Sequence, residues 1–294
     1  MKKREGTKRD KNDNSQSRLG LTFHRTFSLI RPALIQVLQL AERAGDLNEG
    51  NDSIERKLIR ELTNLGTIYV EAMPRYCYGS GLLNKQYALT GLGKYVIKHD
   101  SMLEQPGTQW LMHYHLSAPQ GPGPAFWHEL VMTRFRSGNE FTASEIAEQI
   151  GQLFQKTEGE PLAERSARST ATIFLGTYTK PDGLSNLKIL LELGDNRYRV
   201  NDDLDPPPAW AVAYAILDFW EAQLEGRKTI NLDELTDENG VANVFIIGAG
   251  KIASVLQKMQ LEGFVDLFRV APPYQVVLLR SDMDAILERL YAHE

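Results

Sequence analysis

The sequence has one cysteine and no long apolar run, and these two absences exclude several classes of protein. A single thiol, Cys77, cannot form an internal disulfide framework or a zinc site built from several cysteines. No apolar run is long enough to cross a bilayer, and no hydrophobic segment follows the basic start as it does in a secretory signal. We therefore predict a cytoplasmic protein with no membrane partner.

The sequence also lacks the short motifs that mark common catalytic sites. It has no P-loop lysine motif, no G-x-S-x-G elbow, no H-E-x-x-H pair and no kinase signature. Cys77 has Arg75 nearby but no evident base, and a lone cysteine more often packs than reacts. We predict no catalytic residue, no cofactor and no metal, and hence a protein that is not an enzyme.

Positive charge is scarce after the first twenty residues. The 294 residues carry a net charge of −5, but seven basic and three acidic side chains lie up to Gly20, so the remainder carries −9. An acidic body argues against non-specific coating of nucleic acid, although small basic patches can still bind DNA. Residues 1–20 are poor in apolar side chains. They are predicted to form a disordered tail, either a solubilising leader or a phosphate-binding arm.

Turn and cap signals divide the rest of the chain into four parts. We predict a winged-helix-like module over residues 21–104, an aromatic helical hub over 105–140, a second module over 141–205, and a helix with a third module over 206–294. The predicted fold class is therefore mainly α with short β-hairpins, with three winged-helix-like modules around a helical, aromatic-rich centre.

Individual elements follow from local signals. Pro74 is expected to interrupt a helix, and residues 82–89 are expected to form a strand. Thr142 with Glu145 three positions later is a full capping box, and it opens the second module. Residues 162–174 are predicted to form the second helix of that module. In the third module, the apolar residues 244–247 are predicted to form a strand that precedes a helix.

Histidine and tryptophan concentrate in the predicted hub. His113 and His115 are two positions apart, so on a helix they diverge and cannot share a metal ion. On a strand they could do so, with His128 as a third zinc ligand. The flanking apolar residues favour the helix, and we therefore interpret these histidines as structural.

A dinucleotide-binding pattern occurs near the C-terminus. Residues 248–253 read Gly-Ala-Gly-Lys-Ile-Ala, which fits G-x-G-x-x-G/A. Too little chain follows to build the parallel sheet that such a site needs, so we interpret the match as coincidental. Lys251 and Lys258 fit a phosphate-facing surface more simply, the alternative being ordinary solvated lysines.

The most promising functional surface lies on the second helix of the second module. Arg165, Arg168, Ser169 and Thr172 share one helical face by their spacing. Arginine can donate two hydrogen bonds to guanine, and hydroxyl groups can contact phosphates. The alternative is a solvated helix face in which arginine pairs with Glu164.

Three motifs resemble those of a bacterial protein family of unknown function. The motifs are Phe-His-Arg-Thr-Phe over residues 23–27, Trp-Leu-Met-His-Tyr-His-Leu over 110–116, and Ala-Tyr-Ala-Ile-Leu-Asp-Phe-Trp-Glu over 213–221. They are similar to the H-E-T-F, W-L-L-H-W-H-L and Y-A-L-L-D-F-W motifs of that family. The resemblance assigns a motif or hub role to His24, Arg31, Trp110, His113, His115, Trp127, Tyr214, Asp218 and Trp220.

Two positions depart from the family pattern. Arg25 stands where the family usually has Glu. The helix around residues 70–76, commonly basic in the family, carries Glu71 instead. The second departure moves the expected DNA contact from the first module to the second.

Members of the family are often encoded beside genes for DNA phosphorothioate modification and phage defence. The resemblance therefore implies a non-enzymatic DNA-binding component of such a system, with double-stranded DNA and other proteins of the complex as partners. Two alternatives are a protein–protein adaptor that holds a modification enzyme and a metal- or nucleotide-dependent enzyme. Homo-oligomerisation is left open.

Overall fold

The computed structural model describes residues 18–47, 56–224, 226–268 and 274–292. Most of the predicted tail, residues 1–17, lies outside this part, so its disorder and its phosphate contacts stay predictions. Arg18, just before the predicted boundary, is already anchored. Its guanidinium donates hydrogen bonds to the carbonyl oxygens of Gly123 and Ala118, over 3.2 and 3.1 Å.

The first region contains four helices. They are α1 (Arg31–Leu47), α2 (Arg56–Leu62), α3 (Tyr69–Gly79) and α4 (Gly91–His99). The predicted interruption at Pro74 is wrong, because α3 continues through it with eight of its eleven residues buried against its neighbours. Burial on this scale overrides the local preference of proline.

The strand predicted over residues 82–89 is also wrong. These residues form a tight loop that is closed by one bridge between Leu83 and Leu89. The side-chain oxygen of Asn84 accepts hydrogen bonds from the backbone N–H groups of Gln86 and Ala88, over 2.9 and 3.0 Å. Such a turn competes with strand pairing, because it gives the backbone donors a local partner.

Two central helices form the predicted hub, and a third packs on them. They are α5 (Pro106–Ser117), α6 (Ala125–Arg134) and α9 (Ala209–Gln223). Eleven of the twelve residues of α5 are buried, so the helix is enclosed on nearly all sides. Buried side chains of all the regions join in one continuous core.

The second region runs strand, helix, helix, hairpin. Its elements are β1 (Glu140–Thr142), α7 (Ala143–Glu158), α8 (Glu164–Thr179), β2 (Leu190–Gly194) and β3 (Arg197–Val200). The sheet is antiparallel with the order β1-β3-β2. The capping box of Thr142 and Glu145 is confirmed. The second helix is longer than predicted, because residues 175–178 are buried and pack on the centre.

The third region repeats this order on a smaller scale. Its elements are β4 (Thr229–Asn231), α10 (Val241–Val244), α11 (Ala249–Leu261), β5 (Val265–Phe268), β6 (Gln275–Leu278) and the final helix α12 (Met283–Ala292). The sheet order β4-β6-β5 matches that of the second region. A second capping box, Asn231 with Glu234, follows β4 just as the first follows β1.

The strand predicted over residues 244–247 is wrong. Val244 ends α10, and the next three residues turn into α11 with a left-handed backbone at Ile246 (φ 55°). A short apolar run is compatible with either a strand or a buried helix end, and here the packing of Val244 and Phe245 in the core decides for the latter.

The predicted class, mainly α with short antiparallel hairpins, is confirmed. None of the helices in the described ranges is long and apolar enough to span a bilayer.

Candidate nucleic-acid interface

Helix α8 separates a buried side from an exposed one. Ala171, Phe174 and Leu175 are almost completely buried in the core. On the other side Arg165, Arg168 and Thr172 are exposed, and Ser169 is half-buried. The structure therefore brings together the four side chains that the spacing placed on one face.

The two arginines of this face differ in their surroundings. Arg168 forms an ion pair with Glu164 one turn earlier, and both side chains are largely exposed, 69% and 77%. The side chain of Arg165 is exposed and forms no hydrogen bond or ion pair with a described residue, so its donors face solvent. The hydroxyl of Thr172 donates to the carbonyl oxygen of Arg168 (2.9 Å). Its proton is therefore used within the helix, and it presents a methyl group and lone pairs outward.

The N-terminal motif, residues 23–27, and the residues just after it contact the buried side of α8. The backbone N–H of Thr26 donates to Nδ1 of His24 (3.2 Å), which leaves the proton on Nε2 to be donated to the hydroxyl of Thr170 (3.3 Å). Further along, the backbone N–H of Leu29 donates to the hydroxyl of Thr177 (3.2 Å). Burial lowers the pKa of His24 to about 4, so its ring is neutral.

Arg31 fastens the loop that follows α8. Its guanidinium is buried and donates to the carbonyl oxygens of Gly183 (2.8 Å), Pro181 (2.8 Å) and Leu103 (3.0 Å). Its backbone N–H donates to the carbonyl of Asp182 (2.7 Å). One side chain therefore ties the start of α1 to the end of α8 and to the loop before α5.

His113 joins three regions of the chain. Its Nε2 donates to the carbonyl oxygen of Val244 in α10 (2.8 Å), so its Nδ1 accepts from the hydroxyl of Tyr178 in α8 (2.8 Å). That hydroxyl in turn accepts from the indole N–H of Trp127 in α6 (2.8 Å). Burial lowers the pKa of His113 to about 4, against a smaller opposing effect of the bond to Val244.

His115 and the motif of α9 form a second polar cluster. His115 shares a hydrogen bond with the hydroxyl of Tyr214 (3.1 Å). Tyr114 donates to the carboxylate of Asp218 (2.8 Å), and Gln120 donates to the same carboxylate (3.0 Å). Burial lowers the pKa of His115, and the charge of Asp218 partly offsets this. The cluster holds α5 against α9.

Two further tryptophans of the motifs, Trp110 and Trp220, are buried packing residues. Trp110 stacks on Phe245 with ring centroids 5.4 Å apart, which joins the hub to the third region. Trp220 is buried and donates its indole N–H to the carbonyl oxygen of Arg227 (2.7 Å). The contact of Trp110 joins α5 to the residue after α10, and that of Trp220 joins α9 to the loop before β4.

The hub histidines do not converge on one point. His113 and His115 bond to different regions, and Nδ1 of His128 donates to the carbonyl oxygen of Ser117 (2.7 Å). Within the described ranges, no group of three or more His, Cys, Asp or Glu side chains is placed to hold a metal ion.

The two lysines predicted to face phosphate, Lys251 and Lys258, lie on α11. Lys258 is exposed and Lys251 is half-buried. They occupy the helix that corresponds to α8 in the repeated order of elements. The predicted DNA-binding residues therefore form two sets, one on α8 and one on α11.

The sequence did not indicate the partners of Arg25 and Glu71. The structure pairs them with each other, since Nε of Arg25 lies 2.9 Å from the carboxylate of Glu71. The two departures from the family motifs are therefore a matched pair of opposite charges. The signal in the sequence that points to this contact is the opposite charge of the two departures.

The fold is similar to two solved structures of SspB. One, with bound magnesium ion, has a TM-score of 0.76 and 16% identity, and the match covers 94% of this chain and 89% of that chain. The other has a TM-score of 0.74 and 17% identity, and the match covers 95% and 89%. At this identity the likeness is one of fold. No curated protein matches the sequence.

A family model matches more than half of the chain. It is described as a protein of unknown function, DUF4007, and it covers residues 64–291, from the segment between α2 and α3 into α12. The match includes the hub, α8 and α11. It excludes the N-terminal motif, which contacts the buried side of α8. The chain therefore belongs to the DUF4007 family.

Proposed function

We propose that the protein is a DNA-binding component of a bacterial DNA-modification or phage-defence system of the phosphorothioation type, without catalytic activity of its own. The observation that carries the proposal is α8, which exposes Arg165 and Arg168 while its other side is buried in the core. The resemblance of the motifs to proteins encoded beside phosphorothioation genes, and the similarity of the fold to SspB, support the choice of system.

The second and third regions are proposed to be winged-helix modules. Both run strand, helix, helix, hairpin, and in both sheets the first strand pairs with the last. In helix-turn-helix proteins the second helix enters the major groove, and the residues near its N-terminus contact the bases. That position belongs to α8 in one region and to α11 in the other.

The proposed contacts divide by helix. Arg165 and Arg168 lie in the first turns of α8, where they would reach base edges or the nearest phosphates. Lys251 and Lys258 on α11 would add phosphate contacts, as would the basic residues 1–17. Because the chain after Gly20 is acidic, binding depends on these local patches, and it should weaken steeply as salt rises.

The test is a gel-shift assay with duplex DNA over a range of salt concentrations. Arg165→Ala/Arg168→Ala should bind at least about tenfold more weakly, and the slope of log affinity against log salt should become shallower by about 1 to 2 units. Lys85→Ala/Lys98→Ala removes the same charge from exposed positions of the first region and serves as the control. Equal binding by the arginine variant and the wild type would remove α8 from the proposal.

The absence of catalytic activity has its own test. Supercoiled plasmid is incubated with the purified protein in magnesium, the ion bound in one of the similar structures. Intact supercoiled DNA is expected. Relaxed or linear plasmid that appears with the protein, and disappears when EDTA is added, would show that the protein is an enzyme.

A protein–protein adaptor remains the second candidate, because the chain after Gly20 carries a net charge of −9. An adaptor would show no affinity for duplex DNA at low salt and would co-purify with a modification enzyme. Light scattering of the purified protein tests self-association.

A further inference from the structure

Glu164 places a carboxylate on the proposed DNA-contacting face. It is the first residue of α8, its side chain is 77% exposed, and it pairs with Arg168. A carboxylate near the backbone of DNA is repelled by the phosphates. Its position at the start of the helix that carries both arginines therefore needs a reason.

Stability gives only a weak reason. An exposed pair of this kind stabilises a helix only slightly, and a carboxylate in the first turn gains a similarly small stabilisation from the helix dipole. The N-terminal residues of a recognition helix face base edges, where a carboxylate meets a suitable donor, the N4 amino group of cytosine. Of the four bases, only cytosine and adenine offer an amino donor in the major groove. In adenine the acceptor N7 lies beside the amino group and repels a carboxylate, so cytosine is the better partner.

We propose that Glu164 is a specificity-determining residue that accepts a hydrogen bond from the N4 amino group of a cytosine in the major groove. The inference rests on the proposed function. Glu164 and Arg168 are four residues apart, which is about 6 Å along the helix axis and so less than two base-pair steps of about 3.4 Å. Arg168, oriented by the carboxylate, donates to a guanine on a neighbouring pair.

Charge and base recognition predict opposite effects for Glu164. Removing the carboxylate lowers repulsion from every duplex, so affinity for random DNA rises. It also removes the acceptor for cytosine, so discrimination falls. Arg168→Ala should instead weaken binding to all duplexes. A merely structural role for Glu164 predicts no loss of cytosine preference, so that preference is the measurement that separates the two roles.

The experiment selects duplexes from a pool with randomised central base pairs and sequences the bound fraction. Wild-type protein should enrich a cytosine at one position. Glu164→Gln, which keeps the shape of the side chain, should lower that preference by about fivefold or more and raise affinity for unselected duplex a few-fold. Glu148→Gln on α7, also exposed, makes the same charge change and should keep the cytosine preference. Far-ultraviolet circular dichroism checks that each variant is folded.

Three results would overturn the inference. An unchanged enriched sequence in Glu164→Gln would show that the carboxylate contacts no base. Binding by the wild type without base preference would leave the proposed function standing and remove this inference alone. A wild type that binds no duplex at low salt would overturn both.

Discussion

At the scale of single residues, His113 shows how one ring can fix a junction. Its two nitrogens bond to Tyr178 and Val244, which belong to different regions, and each bond is 2.8 Å long. The carbonyl partner assigns the proton to Nε2, so the neutral ring acts once as donor and once as acceptor. The other neutral tautomer would set the lone pair of Nε2 against the Val244 carbonyl oxygen, so it does not satisfy both partners.

Replacement of His113 should therefore destabilise the protein strongly. In His113→Phe the Tyr178 hydroxyl and the Val244 carbonyl lose their partner inside the core, so we expect a loss of about 2–4 kcal/mol in the free energy of unfolding. Urea denaturation measures it. His99→Phe, at an exposed ring that stacks on Tyr95 and Tyr291, is the matched control and should change little. Similar losses in both variants would contradict the role given to the His113 bonds.

At the scale of elements, α8 is positioned by a segment that is distant in sequence. His24 and Arg31 bond to residues 146 and 152 positions away. Arg31 is buried with carbonyl oxygens as its hydrogen-bond partners, and the planar guanidinium reaches three of them at once. Lysine has the same charge but cannot reproduce this geometry.

Arg31→Lys should therefore loosen the end of α8. We expect a loss of roughly 3 kcal/mol in the free energy of unfolding, because buried carbonyl groups lose their donors. Hydrogen exchange should become faster at residues 177–184 before it does so elsewhere. Arg43→Lys, at an exposed position of the same helix, should leave both quantities unchanged. Protection of residues 177–184 equal to that of the wild type would show that the Arg31 bonds do not hold the loop.

The elements also show which signals in the sequence are reliable. The Thr142 capping box and the exposed face of α8 were predictable, because both depend on residues within two turns of each other. Residues 244–247 were not, since four apolar residues suit a strand or a buried helix end equally well. The His24–Thr170 bond has no local signal at all. The face of the candidate site could therefore be predicted, but not what holds it in place.

At the scale of the whole molecule, one core spans every region, and buried neutral histidines lie inside it. His24 and His113 each have a pKa lowered by burial to about 4, and burial also lowers the pKa of His115 and His128. An unfolded histidine has a pKa of about 6.5. Between these values the unfolded chain binds more protons than the folded one.

Stability should therefore fall on acidification. The contribution of His24 and His113 is fully present above pH of about 6.5 and is lost as the pH falls toward 4, by up to about 3 kcal/mol for each residue. Urea denaturation between neutral pH and pH of about 4.5 measures the decline. His24→Asn removes one titrating ring and should show a shallower decline than the wild type. Equal slopes in the two proteins would exclude His24 as a source of the pH dependence.

The long separation between the N-terminal motif and its partners affects how the chain is made. His24 and Arg31 leave the ribosome about 150 residues before Thr170 and Gly183 do. At about 5–20 residues per second, the interval is roughly 8–30 s. During this time the growing chain holds an arginine and a histidine whose partners on α8 and on the loop after it have not been synthesised. His24 and Arg31 can therefore bond to α8 and to the loop after it only once these residues have been translated. Docking of the N-terminal segment on α8 is thus a late step of co-translational folding.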